Sequence, residues 1–317
     1  MTLNRSGSNT TLSKVGLGHL LVVYIIWSST YLAIRIMVAP GSGFAVWTAG
    51  SIRLALAAPI LFCLAAVSHY RIRIDKREFW ILLISGILMW VTGNGTVMWA
   101  EQRVNSGFAA LVCAAAPISS AIIEAMLDRK IPSRLLIASL LLSFAGIFVL
   151  VAPSLVQGRT TELGAGILVF LSTFSWAGAS VLQKRNPIDL EAPVVAAYQH
   201  LFGGIGFIVL AVLSGQHWPQ ATSSAWMGLA YLVIFGSVFA FTSYIKALKL
   251  LPINITMTYA YVNPILALIL GWLLLHESLG IWTLIGALMV IFGIVGVFRD
   301  NEKKNREKLE IKNTASL

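Results

Sequence analysis

The sequence predicts an all-α integral membrane protein, with ten transmembrane helices arranged as two inverted five-helix repeats around a central cavity. Three observations carry that expectation. The 317-residue chain is 57% hydrophobic and 11% charged, with a mean hydropathy of +0.81, whereas soluble domains carry about 25% charged residues. Apolar stretches close to or above the ~20 residues needed to cross hydrocarbon recur along its length. Basic residues gather in alternate loops between those stretches.

Taken in order, the stretches cover residues 15–37, 44–67, 79–100, 106–127, 134–152, 163–183, 192–213, 224–247, 253–275 and 280–298. The first is too long for a signal-peptide core and no small-residue cleavage site follows it, so it reads as a span. Cys63 and Cys113 both fall within spans, and their placement indicates neither a disulfide framework nor a metal site. Of the 23 lysines and arginines, all but Arg35, Arg53, Arg103 and Arg159 lie before the first span, in alternate loops, or after the last span. That bias puts both termini in the cytoplasm, as an even number of spans requires. The net charge of +10 is therefore read as a topology signal and not as a nucleic-acid footprint. Residues 1–14 form a cytoplasmic N-terminus, 15–152 the first repeat, 163–298 the second, and 299–317 a charged tail near anionic headgroups.

The repeat rests on a shift of 147 residues, which lays Ala100 on Ala247, Pro117 on Pro264, Ile118 on Ile265, Leu127 on Leu274, Gly146 on Gly293 and Ile147 on Ile294. A second echo joins Trp27 in WSSTYLA to Trp176 in WAGASVL. With an odd number of spans in each half, the second half is inverted relative to the first, and a substrate site is expected near the midplane between them.

Pro117 and Pro264 each interrupt a long apolar run. A proline inside a helix lacks its own N–H and crowds the carbonyl four residues back, here Cys113 and Ala260. A freed carbonyl at membrane depth needs a partner or a wet cavity, so the pair reads as a hinge or cavity lining, against a simple kink satisfied by neighbours. Thr256, Tyr259 and Asn263 follow i, i+3, i+7 spacing and share a face of the ninth span. The alternative for that face is an interhelical hydrogen-bonding seam. Trp27 and Tyr31 lie one turn apart in the first span, Trp176 answers Trp27 in the sixth, and Tyr244 is the candidate of the eighth. On the third span Asn94, Met98 and Glu101 form a stripe, with Trp99 beside it. Arg53 is either a partner of Glu101 or a structural anchor. Glu124 is either a proton-coupling site or an acid neutralised by Arg129 or Arg134, because charges within a span are functional candidates by default. No nucleophile elbow, zinc-binding helix motif, Walker loop or acidic metal cluster is present, so neither an enzyme nor ATP-driven transport is expected.

The block ALKLLPINITMTYAYVNPILALILGWLLLHESL and its weaker partner AEQRVNSGFAALVCAAAPISSAIIEAML resemble the EamA family of the drug/metabolite transporter superfamily, over nearly the whole chain. The resemblance implies a basket of ten helices whose cavity is lined by helices 1, 3, 4, 6, 8 and 9. It also implies export of amino acids or other small metabolites with no bound cofactor. Partners would be a small-molecule substrate, the bilayer of a bacterial inner membrane and a proton or ion gradient, with no nucleic acid. A multidrug efflux transporter is the alternative, and a lipid-modifying membrane enzyme a more distant one. The family often ends its fourth and ninth helices with a glycine–glutamate pair, where this chain has Arg129–Lys130 and His276–Glu277.

Overall fold

The computed structural model describes residues 13–129, 133–156, 160–276 and 279–314, and among these the chain is helical with no strand. Ten helical segments follow one another: α1 (Lys14–Val38), α2 (Val46–Val67), α3 (Lys76–Ala100), α4 (Ser106–Leu127), α5 (Arg134–Val156), α6 (Thr160–Arg185), α7 (Ala192–Leu213), α8 (Ser223–Leu250), α9 (Ile253–Thr256 with Tyr259–Leu275) and α10 (Ile281–Thr314). Seven of them, α1–α4 and α6–α8, are long and apolar enough to cross a membrane, while α5, α9 and α10 contain shorter apolar stretches. The chain is a multi-pass membrane protein. Its last helix runs through the charged tail as far as Thr314.

Lipid is as apolar as leucine, so what holds such helices together is close packing and interhelical hydrogen bonding. Small residues sit where helices meet. Gly146 of α5 and Gly293 of α10, paired by the 147-residue shift, both lie in the α5–α10 contact. A Cβ on Gly146 would come 2.9 Å from the Gly286 carbonyl, and one on Gly293 2.6 Å from that of Ser139. Gly86 of α3 lies against the backbone of Gln199 in α7, and Gly203 of α7 against Trp90 of α3. The large side chains left outside, Leu21, Ile25, Leu56, Leu213, Phe239 and Phe292 among them, form the outer surface. Helix ends are capped locally. Asp75 accepts from the Glu78 N–H while Glu78 accepts from the Asp75 N–H, and Arg71 grips Glu78 at 2.5 Å.

Four helices depart from regular α geometry, two by tightening and two by widening. In α4, Ala114 and Ala115 have ψ of −12° and −7°, and the Ala115 N–H bonds to Val112, three residues back. In α9, Met257 and Thr258 have ψ of −2° and −17°, and the Thr258 N–H bonds to Ile255. Each break is thus a tight 3₁₀-like turn. The sequence placed the interruptions at the prolines; the structure places them two residues before Pro117 and six before Pro264. Pro117 falls in the first turn of the resumed helix, where a missing N–H leaves no bond unmade. Pro264 sits inside Tyr259–Leu275. The two prolines therefore do different physical work.

The widened pair is α3, π-helical over Ile87–Asn94, and α8, π-helical over Leu232–Phe241. A π turn swings carbonyls away from the helix ladder and leaves them for other donors. The Leu88 carbonyl accepts from Ser175 of α6 at 3.0 Å, and the Gly236 carbonyl accepts from Nε1 of Trp27 at 3.3 Å. The 147-residue shift also matches the ends of α4 and α9. Arg129 and His276 both take left-handed backbone, with φ of 52° and 54°. Glycine adopts that conformation without strain, which gives a physical reason for the family's glycine there. The acids that would follow it are outside this comparison, because Lys130 and Glu277 lie outside the described residues.

Candidate functional site

A cavity of about 90 Å³ lies among α1, α2, α3, α4, α6 and α9. Its wall is built from Trp27, Thr30, Tyr31 and Ile34 of α1, Arg53 of α2, Trp90, Gly93, Asn94 and Val97 of α3, Ala110, Cys113, Ala114 and Ala116 of α4, Ser172, Thr173 and Trp176 of α6, and Tyr259, Ala260, Asn263 and Pro264 of α9. The wall includes Ala114 at the α4 break, while the α9 break lies one residue before Tyr259. The π stretch of α3 contributes Trp90, Gly93 and Asn94.

Aromatic rings close one end. Trp27 is central: its ring lies 5.4 Å from Trp176 edge-on, 5.0 Å from Tyr244 and 5.1 Å from Tyr259 edge-on. Such pairs contribute about 0.5–1.5 kcal/mol each beyond simple packing. The two tryptophans linked by the sequence echo are therefore in contact. Below the cluster, Tyr24 hydrogen-bonds Thr258 and His19 approaches Ser243 at 3.1 Å, so α1 is tied to α8 and α9 on that side.

Polar groups line the rest. Ser28 donates to Oδ1 of Asn263 at 3.0 Å, joining α1 to α9. Ser119 and Thr173 share a hydrogen bond of 2.6 Å between α4 and α6. Tyr31 hydrogen-bonds Cys113, and the Glu101 carboxyl lies near both. Arg53 is 3% exposed. Its Nε donates to Ser237 at 3.0 Å, its Nη1 to Oδ1 of Asn94 at 3.1 Å, and its Cζ stands 4.9 Å over the Trp90 ring. Behind Trp90, the buried His200 ring lies 4.4 Å away and donates from Nδ1 to the Ala196 carbonyl at 2.7 Å.

Among the residues singled out from sequence, Trp27, Tyr31, Asn94, Trp176, Tyr259, Asn263, Pro264 and Arg53 meet at this cavity. Others lie elsewhere. Met98 is packed in the core. Trp99 is half-buried under the Arg103 guanidinium at 3.9 Å. Tyr244 stands in a second layer, bonded to Ser180 at 2.7 Å. Thr256 is fully buried, donates to the Pro252 carbonyl at 3.1 Å and is not part of the cavity wall. Pro117 is buried next to the wall residue Ala116, Glu124 is half-buried in α4 away from the cavity, and Glu101 caps α3 with its carbonyl bound by Arg35. Helix α8, expected among the lining, contributes from behind, and α2 takes a place through Arg53.

Trp90 and Cys113 were not picked out as lining. Trp90 could have been found, since it stands one helical turn before Asn94 and deep in its span; for Cys113 a lone apolar-context cysteine offered no such signal. Among the described residues no group of three His, Cys, Asp or Glu is arranged to hold a metal ion.

The model of the EamA-like transporter family matches residues 14–152 and again 163–299. A protein of Escherichia coli described as an uncharacterized inner membrane transporter, YedA, is 30% identical over 283 residues, covering 88% of this chain and 89% of its own. The uncharacterized transporter YoaV of Bacillus subtilis is 24% identical, over 89% and 95%. A solved crystal structure superposes with a TM-score of 0.63 at 17% identity, over 90% of this chain and 98% of the other, a likeness of fold alone.

Proposed function

Because the chain belongs to the EamA-like transporter family, we propose that it is a secondary transporter that moves amino acids or related small metabolites outward across a bacterial inner membrane by alternating access. The observation that carries this reading is the cavity itself. Its walls come from both family-matched segments: Trp27, Tyr31 and Asn94 from the first, Trp176, Tyr259 and Asn263 from the second. A chamber between two related halves can open to either side as they rock, whereas a site within one half could not.

The inverted five-plus-five arrangement is supported by features that recur at matching places, namely the π stretches of α3 and α8 and the left-handed ends at Arg129 and His276, and by the presence of a tight turn in each of α4 and α9. Ten spans with both termini in the cytoplasm follow from that arrangement together with the basic loops. Trp27, Tyr31, Asn94, Trp176, Tyr259 and Asn263 would hold the solute, and the broken helices would flex. The chamber of about 90 Å³ is below the roughly 300–1,000 Å³ of drug-sized pockets, which favours a small metabolite over a multidrug substrate. The test is counterflow in proteoliposomes against a panel of amino acids and metabolites, with and without a pH gradient. Accumulation of one class identifies the substrate; silence across the panel with well-inserted protein rejects the reading.

A further inference from the structure

We propose that the cavity selects solutes bearing a carboxylate, with Arg53 as the anion-binding residue. This rests on the transport reading above and narrows it. Arginine stays ionised in proteins, so its charge cannot be removed by proton loss. A buried ion is expensive unless something of opposite charge meets it. Yet the groups on Arg53 are a serine hydroxyl, an amide oxygen and an indole ring, all neutral. Those two hydrogen bonds use two of the five guanidinium N–H groups. The remaining donors belong to a side chain that lines the cavity.

The wall has a second surplus of the same sign. The indole N–H of Trp90, a lining residue, is buried with no acceptor in hydrogen-bonding reach among the described residues, whereas that of Trp176 is directed at the hydroxyls of Tyr244 and Tyr259. Asn94 and Asn263 already give their oxygens to Arg53 and Ser28. While the buried Glu101 carboxyl lies by Tyr31 and Cys113, the part of the chamber formed by Arg53 and the Trp90 N–H is complementary to a solute that brings negative charge and acceptors. A carboxylate supplies both and matches the guanidinium fork. The rings of Trp27 and Tyr259, which also line the chamber, suit an ammonium group if the solute is a zwitterion.

The experiment titrates the full-length protein in detergent with matched probes built on alanine, leucine and phenylalanine. Each set contains the amino acid, its carboxyl amide and the acid lacking the amino group, with inorganic phosphate as a further arm. Binding is read from thermal stabilisation and tryptophan fluorescence, and movement from counterflow. In the set that fits, both acids bind and the amide binds on the order of tenfold or more weakly, as expected when a charged hydrogen bond is lost. Arg53→Lys keeps part of the preference, and Arg53→Gln brings acid and amide to equal affinity. The acid-to-amide comparison uses the natural protein, so it stands even where a variant fails to fold. Amides bound as tightly as acids, a preference that survives Arg53→Gln, or a response to phosphate alone would overturn the assignment while transport stands. Silence from every probe overturns both.

Discussion

Replacing Gly203 by alanine tests whether α7 positions the cavity wall from outside it. A Cβ at this position would lie 2.6 Å from Cβ and 2.9 Å from Cγ of Trp90, against the 3.5–4.0 Å at which carbon atoms rest. Roughly 1 Å of movement is therefore demanded. Trp90 cannot readily give it. The residue is 2% exposed, and its ring is held by His200 at 4.4 Å, Phe241 at 4.9 Å and the Arg53 guanidinium. Overpacking of this kind costs about 1–3 kcal/mol, set against a helix-propensity gain of about 1 kcal/mol for glycine to alanine. Gly18→Ala in α1 isolates the clash, because nothing lies within 4 Å of its added Cβ. The prediction is that Gly203→Ala melts below Gly18→Ala by the equivalent of about 1–3 kcal/mol, measured by thermal unfolding in one detergent. Counterflow by Gly203→Ala should fall as well, since Trp90 underlies Arg53. Equal melting temperatures for the two variants would refute the argument.

Three further outcomes are expected. Trp176→Ala and Asn263→Ala should each abolish flux while the protein still inserts and stays monodisperse; normal movement by both would remove the central site. Asp75→Ala should lower stability by about 1 kcal/mol, because it takes one half of a reciprocal cap and leaves the Glu78 N–H without its acceptor, and an unchanged melting temperature would count against the cap. His276→Gly should raise stability by about 1 kcal/mol, since a left-handed residue with φ of 54° carries strain that glycine does not. A drop would show that the His276 side chain matters more than its backbone.

Much of this architecture can be read from the chain, and the limits have physical causes. Helix position follows from hydropathy, a local property, so the observed helices begin and end within a few residues of the expected spans, apart from the last, which continues to Thr314. Trp27 and Trp176 could be paired because a repeated aromatic before small residues survives comparison of the halves. Helix periodicity grouped Thr256 with Tyr259 and Asn263, of which the last two line the cavity, but periodicity does not show that the Thr256 hydroxyl is taken up by the Pro252 carbonyl. The π stretches left no trace in sequence: widening a turn changes which residues face inward without changing how apolar they are. Arg53 had two readings because a lone charge in a span does not reveal its neighbours. Only the fold shows that those neighbours are Asn94, Ser237 and Trp90.

The same distinction separates the two prolines. If proline made the breaks, each would lie at the same distance before it, yet the distances differ while the turns themselves are alike. Under the 147-residue shift the prolines coincide while the turns do not, since Ala115 falls on Val262 and the α9 turn ends at Thr258, so proline does not by itself set where the helix breaks. Pro117 occupies a first-turn position, so Pro117→Ala restores no missing ladder bond and should leave both the break and the flux near natural levels. Pro264 lies within a continuous helix and lines the cavity. Its replacement by alanine restores the bond to the Ala260 carbonyl, a change that elsewhere in helix interiors is worth about 3 kcal/mol. Stiffening α9 between its break and the chamber should slow counterflow several-fold without lowering the melting temperature. If Pro117→Ala and Pro264→Ala impaired flux equally, the prolines would be acting as a matched pair of hinges, and the asymmetry argued from their registers would be wrong.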